Sequence, residues 1–509
     1  MILALLGSLA WAGDAAEVLA CLEVSDLACA QREASGLGDS PSDRVARAEL
    51  AFSLGEFSQA RDLYQGTEKA EEPDNHARKS KLYRLSADAT ADFTTVSRGD
   101  VTLRYRAGMD EVLVDEALET LQAAHDRIAP ILGGAPPGGV RMELYPTAQR
   151  FIDASSLPGT AVRNTGVIAL SKWTRLLVSS PRALGHGYAW KDTIAHEYIH
   201  YIVAWRSRDK VPVWLQEGIA RSHESLWQVD DPMPLAPVAQ SLLAEALAND
   251  SLVPLERMHP SMAFLDSAEE ASLAFAQVST MVVYLRKIAG NDAVSRVLDL
   301  VREDRDALQA VADVGTGGDV AAFMRGWKED LGRMSLVQKK LATAPTVLDG
   351  AGDELAADPL LGKRADLAKF ARLGDMLLDA GRPDAALVEF DKAASGADGP
   401  SPAIAARTAE ALLALGRREQ ATAVLKASIA DYPEYAVTRR SLGRLLLAAG
   451  DVPGALAQFR AAADVDPFDP DTQAALADLY GATGKSTLAE RHAHYRRILQ
   501  SAEPPPSSR

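Results

Sequence analysis

Four glycines near the C-terminus, Gly381, Gly416, Gly450 and Gly484, stand 35, 34 and 34 residues apart, and nothing else in the chain restricts its fold as tightly. Alanine follows each by five positions (Ala386, Ala421, Ala455, Ala489), and a small residue precedes each by seven (Gly374, Ala409, Gly443, Ala477). Two helices approach closely only where side chains are small, and the turn between them needs a residue that tolerates positive φ. Each period therefore reads as a helical hairpin with its glycine in the turn. Phe390, Leu425 and Phe459 occupy the large position nine after the first three glycines, whereas the fourth unit has Ala493 there. Pro433 and Pro467, seventeen after the second and third glycines, mark where a second helix stops. The RHAHYRR stretch of the fourth unit reads as the polar cap that closes such an array.

This 34-residue period resembles the tetratricopeptide repeat. One further copy keeps the same offsets at Ala48, Gly55, Ala60 and Tyr64. A lone hairpin cannot bury its apolar face, so helices over 14–40 and 74–90 are expected to stack on it.

At 509 residues the chain is too long for one core, and about three domains are expected. Composition shifts divide it into an apolar leader (1–12), a helical region (13–90), a mixed region (91–335), a linker rich in Ala, Gly, Asp and Pro (336–364), the repeats (365–500) and a polar tail (501–509). The fold class is α+β: a mostly helical chain with one small mixed sheet in the middle region. A balance of 54 basic and 70 acidic residues gives a net charge of −16, which leaves no electrostatic footprint for nucleic acid. No apolar run reaches the 18 or so residues of a membrane span.

The leader, MILALLGSLAWA, ends in Ala10-Trp11-Ala12, the small-x-small pattern after which a signal peptidase cuts, although it lacks a basic start. Export to the periplasm or beyond is expected on this pattern. If the segment is instead a buried first helix, the chain is cytoplasmic. Cys21 and Cys29 are the only cysteines, placed either to staple two short helices after export or to lie buried as thiols.

In the middle region, 101–107 and 140–146 alternate as strands around an amphipathic helix at about 110–132. Two more strands, 166–171 and 175–180, flank a turn at Lys172-Trp173-Thr174, and a helix follows from about 189 to 205. That helix carries His196-Glu197-Tyr198-Ile199-His200. Histidines four apart lie about 40° apart around a helix and roughly 6 Å along it, so both rings can face one metal. Imidazole suits zinc, and Glu197 beside the first ring can take a proton from a water held there. Random placement would yield at most about 0.02 such strings in a chain of this composition. Seventeen residues beyond His200, Glu217 stands in PVWLQEGIA, early in a helix that Pro212 can open. His-His-Glu is a recurrent catalytic zinc set.

HEYIH followed by PVWLQEGIA resembles the gluzincin metallopeptidases, in particular the peptidase MA-like group found with tetratricopeptide repeats. The resemblance implies one Zn²⁺ per chain held by His196, His200 and Glu217, with Glu197 as general base and a peptide or protein as substrate. It also implies that the strand before the active-site helix, Arg175 to Ser180, is a substrate-pairing edge. The repeats would offer a groove for the substrate or a protein partner. One departure stands out. Related enzymes carry a tyrosine in a later helix, and this chain has Phe275 in its place. Tyr188, His186 and His259 are candidates for the missing donor. Asp192 and Glu224 are candidates to orient a zinc histidine, the first equally placed to cap its helix and the second to face solvent. The competing reading is a binding scaffold of repeats carrying a weak or inactive metallopeptidase domain. His492 and His494 straddle one residue and face apart, and Gly315–Gly318 lacks the lysine of a phosphate loop and reads as a turn.

Overall fold

The structure, a computed structural model, describes residues 14–501 except 158, 160–161, 163–166, 231–234, 259–261, 263–264, 343–354, 356–357 and 397–398. The leader, about half of the linker and residues 502–509 of the tail thus lie outside the described residues.

The chain begins with α1 (Asp14–Glu23) and α2 (Leu27–Ala34), tied together by a disulfide between Cys21 and Cys29. The lone hairpin follows as α3 (Pro41–Ser53) and α4 (Phe57–Tyr64). Ser40 starts it with a capping box to Asp43, and Gly55 turns it at φ +80°. Ala48, Ala60 and Tyr64 are buried between it and α5 (Pro73–Ala89), so the isolated repeat does gain neighbours on both sides.

Next comes the sheet. β1 (Phe93–Arg98) and β2 (Val101–Arg106) form a hairpin about Gly99-Asp100, then α6 (Glu111–Arg127) leads to β3 (Val140–Tyr145). After α7 (Ala148–Ser155), a second hairpin joins β4 (Ala169–Lys172) to β5 (Arg175–Ser179) through Trp173 and Thr174, both at positive φ. The order is β1-β2-β3-β5-β4, with β2, β3 and β5 parallel and the outer strands antiparallel. Both faces are covered, so the central strands are buried on both. Leu176 and Val178 join the main core under α6, while Leu177 and Tyr145 pack against α7 on the opposite face.

This order corrects one expectation. Arg175–Ser179 is flanked by β3 and β4, so its backbone is already paired on both sides. The free edge beside the following helix belongs to β4, because the tight turn at Trp173-Thr174 swings the earlier strand outward.

The remaining helices of this region are α8 (Trp190–Ser207), α9 (Val213–His223), α10 (Pro237–Ala248), α11 (Ala268–Ala289), α12 (Ala293–Arg302), α13 (Ala307–Thr316) and α14 (Val320–Leu331). Gly317, in the left-handed region at φ +67°, ends α13, so of the stretch expected as a turn only Gly317 and Gly318 form one, while Gly315 and Thr316 are still helical.

Among the described residues, eight α-helices follow as four hairpins: α15 (Ala365–Asp379) with α16 (Pro383–Ser395), α17 (Pro402–Ala414) with α18 (Arg418–Asp431), α19 (Ala436–Ala448) with α20 (Val452–Ala463), and α21 (Pro470–Ala482) with α22 (Ser486–Ser501). The four turn glycines have φ between +68° and +79°. Phe390, Leu425 and Phe459 are buried against the small positions, and a Cβ on Gly374 would meet the Phe390 ring at 2.3 Å.

The last unit departs from the sequence expectation. RHAHYRR does not form a solvated cap; it docks on the sheet-bearing region. Tyr495 is buried in the main core, where Ile498 and Leu499 also pack, and Arg491 makes two hydrogen bonds to Glu119 of α6, at 2.6 and 3.0 Å. His492 turns inward to Gln473 at 2.7 Å. Farther along the array, Val465 accepts from the Tyr188 backbone N–H at 3.1 Å, and Lys191 of α8 bridges Glu116 and Asp464. What ties the preceding segment down is Asp358, buried and accepting from Ser401 Oγ and the N–H groups of Leu360, Leu361 and Ala403.

Candidate metal centre

Helix α8 buries one face in the main core through Ile194, Ile199 and Ile202, which turns His196 and His200 toward α9. Helix α9 in turn packs on α11 at Gly218, where a Cβ would sit 2.7 Å from the Val278 carbonyl oxygen. Only glycine permits that approach, and it fixes the neighbouring Glu217 over the two rings. His196 Nε2 and His200 Nε2 are 3.0 Å apart, and Glu217 oxygens lie 3.4 and 3.6 Å from them. Among the described residues, these three form the one group able to grip a single cation.

Outside this triad, Glu224 Oε2 lies 2.8 Å from His196 Nδ1. A carboxylate there holds the proton on Nδ1 and directs Nε2 at His200 and Glu217. Glu224 is therefore the orienting acid. Asp192, the other candidate, instead accepts from Trp227 Nε1 at 2.6 Å and Gln228 Nε2 at 3.1 Å. Arg221, one turn beyond Glu217, stands 3.4 Å from Glu224 and 5.5 Å from the centre of the Phe275 ring.

Burial sets the electrostatics. It pushes Glu197 up to about 7, helped by the negative charge of Glu217 and opposed by His196. Burial also pulls His200 down to about 4. For His196 burial acts downward too, but hydrogen bonds to Glu217 and Glu224 outweigh it and raise the ring to about 9. Glu217 is held below the usual carboxylate range: burial opposes this, and the charges of His200 and His196 prevail. Three carboxylates thus surround two imidazoles with Arg221 as the permanent cation, an arrangement that favours further positive charge.

Residues 120–332 match the family model of the peptidase MA superfamily, and residues 377–442 match that of the tetratricopeptide repeat. The chain carries a peptidase MA superfamily domain joined to tetratricopeptide repeats. A search of curated proteins returned no match. Among solved structures, the crystal structure of MamA is 18% identical, with 27% of this chain and 79% of MamA covered at a TM-score of 0.23. Native leukotriene A4 hydrolase from Saccharomyces cerevisiae is 13% identical, with 80% of this chain and 67% of the hydrolase covered at a TM-score of 0.31. Overlaps this loose carry no weight.

Within the peptidase MA domain, the candidates for a donor in place of the tyrosine fare differently. The Tyr188 hydroxyl is buried and donates to the Ser179 carbonyl. His186 lines a cavity next to Glu224, with burial holding its ring neutral. His259 lies outside the described residues. Two residues of the surroundings had no place in the sequence reading. Arg221 had a signal, since four residues after Glu217 it shares that side chain's helix face. Glu434, across the cavity on the α18–α19 loop, had none: it reaches the site only because the array folds back.

Proposed function

We propose that this chain is an exported zinc peptidase of the gluzincin type, with its peptidase unit at 91–335 and its repeats at 365–500. The observation that carries the reading is the convergence of two imidazole nitrogens and a carboxylate at 3.0 to 3.6 Å. Donors about 2.0–2.1 Å from one tetrahedral zinc ion sit about 3.4 Å apart, so these three fit that ion. His196, His200 and Glu217 would hold it, one per chain. When bound, zinc supplies a Lewis acid for the scissile carbonyl and lowers the pKa of water.

The remaining work falls to the chain itself. Glu197, raised to about 7 by burial, is poised to accept a proton from the attacking water and return it to the departing amine. The Ser171 backbone hydrogen-bonds Glu197, which sets the acid against the β4 edge, where an extended substrate can add as a strand. Glu224 fixes the His196 tautomer. The disulfide between Cys21 and Cys29 supports export, because oxidising compartments preserve such bonds.

One observation favours a second reading, a repeat scaffold with a weak or inactive enzyme domain: the Phe275 ring offers no hydroxyl. Losing one oxyanion donor typically costs about 10²–10³ in rate. Metal analysis paired with a broad peptide library separates the two. Zinc at one per chain is expected, lost in His196→Ala, with cleavage abolished in Glu197→Gln while zinc is kept. Zinc-loaded protein that cleaves no peptide would leave only the scaffold.

A further inference from the structure

A cavity of 390 Å³ opens directly behind Glu224. Its volume is in the roughly 300–1,000 Å³ range of ligand pockets. One wall belongs to the peptidase MA domain, with Arg221, Glu224, Leu235 and Phe275; the other belongs to the repeat array, with Tyr432, Glu434 and Tyr435 of the α18–α19 loop. The two halves of the protein thus share one pocket. Because Glu224 hydrogen-bonds His196 at 2.8 Å, whatever fills the pocket lies one residue from the metal centre.

Its charge is unbalanced. The lining holds one permanent cation, Arg221, against three carboxylates: Glu224, Asp431 and Glu434. Glu224 is engaged by His196 and Arg221, and Asp431 is paired with Lys339. Glu434 is the carboxylate left over. Its side chain is exposed to the cavity and, among the described residues, has no hydrogen-bond or ion-pair partner. Enclosure by protein and the nearby charge of Glu224 push its pKa up, while the Arg221 and Arg439 guanidinium charges act the other way without reaching it as ion pairs. Leu235, Pro237, Val238, Phe275 and the Tyr432 and Tyr435 rings make most of the remaining lining apolar or aromatic, with His186, Ser272 and Ser279 as its uncharged polar members. An apolar sleeve ending at a carboxylate matches a side chain with an aliphatic stem and a cationic head.

We propose that this cavity binds a lysine or arginine side chain of the peptide substrate, and that Glu434, contributed by the repeat array, selects it. The inference rests on the peptidase reading and gives the repeats a part in substrate choice within the cleft. Charge complementarity makes Glu434 a determinant of specificity, since a neutral isosteric residue of the substrate would lie against it without supplying an opposite charge.

The test uses the full chain, zinc-loaded and carrying Glu197→Gln, with fluorescent peptides that differ only by lysine against norleucine. Lysine peptides are expected to bind at least tenfold more tightly. Adding Glu434→Gln should bring the ratio close to one, and Glu434→Lys should shift preference to a glutamate peptide. A ratio near one before Glu434 is changed, or one that Glu434→Gln leaves unaltered, overturns the proposal. Cleavage by the unmodified protein is scored separately. Cleavage without basic preference removes the pocket and leaves the peptidase, whereas lysine-selective binding without cleavage removes the peptidase and leaves the pocket.

Discussion

On either side of the five-stranded sheet lies a cluster of buried charge, and the two are built on opposite plans. On the face toward the N-terminal hairpin, Arg175 and Glu143 are both almost completely buried, with Nη1 of the arginine 3.2 Å from each carboxylate oxygen. Phe52, Phe57 and Trp173 rings cover the guanidinium at 4.6 to 5.7 Å. One positive group meets one negative group under an aromatic lid. Beyond α8, on the other side, the Nε2 atoms of His196 and His200 and the Glu217 carboxylate converge and carboxylates outnumber permanent cations. The first cluster is balanced in charge, with Arg175 Nε and Nη2 left without hydrogen-bond partners beneath the rings, and works as an anchor, holding the hairpin turn at Gly55 against the sheet, where Arg104 also donates to the Gly55 carbonyl at 2.5 Å. The second lacks only a cation. Buried charge alone does not mark a functional site; an unfilled set of convergent donors does.

The sharpest way to break this contrast is to open the closed cluster. Arg175→Leu leaves Glu143 buried and unpaired, and removing one partner of such a pair typically costs about 3–5 kcal/mol. Urea unfolding should show a loss of that size with zinc content unchanged, and a second substitution, Glu143→Leu, should restore much of it. Stability equal to that of the parent protein would mean that the pair anchors nothing.

The open cluster should respond in the other currency. Glu224→Gln keeps the shape of the side chain but weakens its hold on His196 Nδ1. A drop of about 10–100-fold in zinc affinity is expected, with little change in metal-free stability. Competition against a chelator measures it, and unchanged affinity would exclude Glu224 from the metal's surroundings.

The parts of this architecture that were readable in advance are those where one local rule repeats or closes on itself. Gly381, Gly416, Gly450 and Gly484 carry their turns at positive φ, and His196, His200 and Glu217 meet because a four-residue step and a following helix bring them together. β1 left a weaker trace, a Gly-Asp turn between β-branched runs, and was missed because its residues are largely exposed. Long-range arrangement left none. Whether β4 or β5 forms the sheet edge depends on which way a tight turn swings, and both strands read alike. The docking of α22 rests on Tyr495, Ile498 and Arg491, whose surroundings read as a polar cap until a partner surface is known. Glu434 and Glu224 are 210 positions apart, and no periodicity reports a contact across two packed units.

Asp192 stands between the two plans, and its effect is the smallest. It is a half-buried carboxylate satisfied by Trp227 and Gln228 without any cation. Burial raises it to about 7, with Glu224, Glu434 and Asp464 adding to the shift and the Trp227 hydrogen bond opposing it. Between about pH 4 and 7 the folded chain keeps a proton that the unfolded chain has released, so this group lowers stability as pH rises through that window. Asp192→Asn does not titrate and keeps an oxygen for Trp227. Relative to the parent, it should therefore gain stability from pH 5 to pH 8, by on the order of 1–2 kcal/mol once partial solvent access is allowed for. Thermal unfolding of metal-free protein across that range decides it. A difference between the two proteins that stays constant with pH would mean that Asp192 is ionised throughout, and that the negative field of the cleft ends short of the first turn of α8.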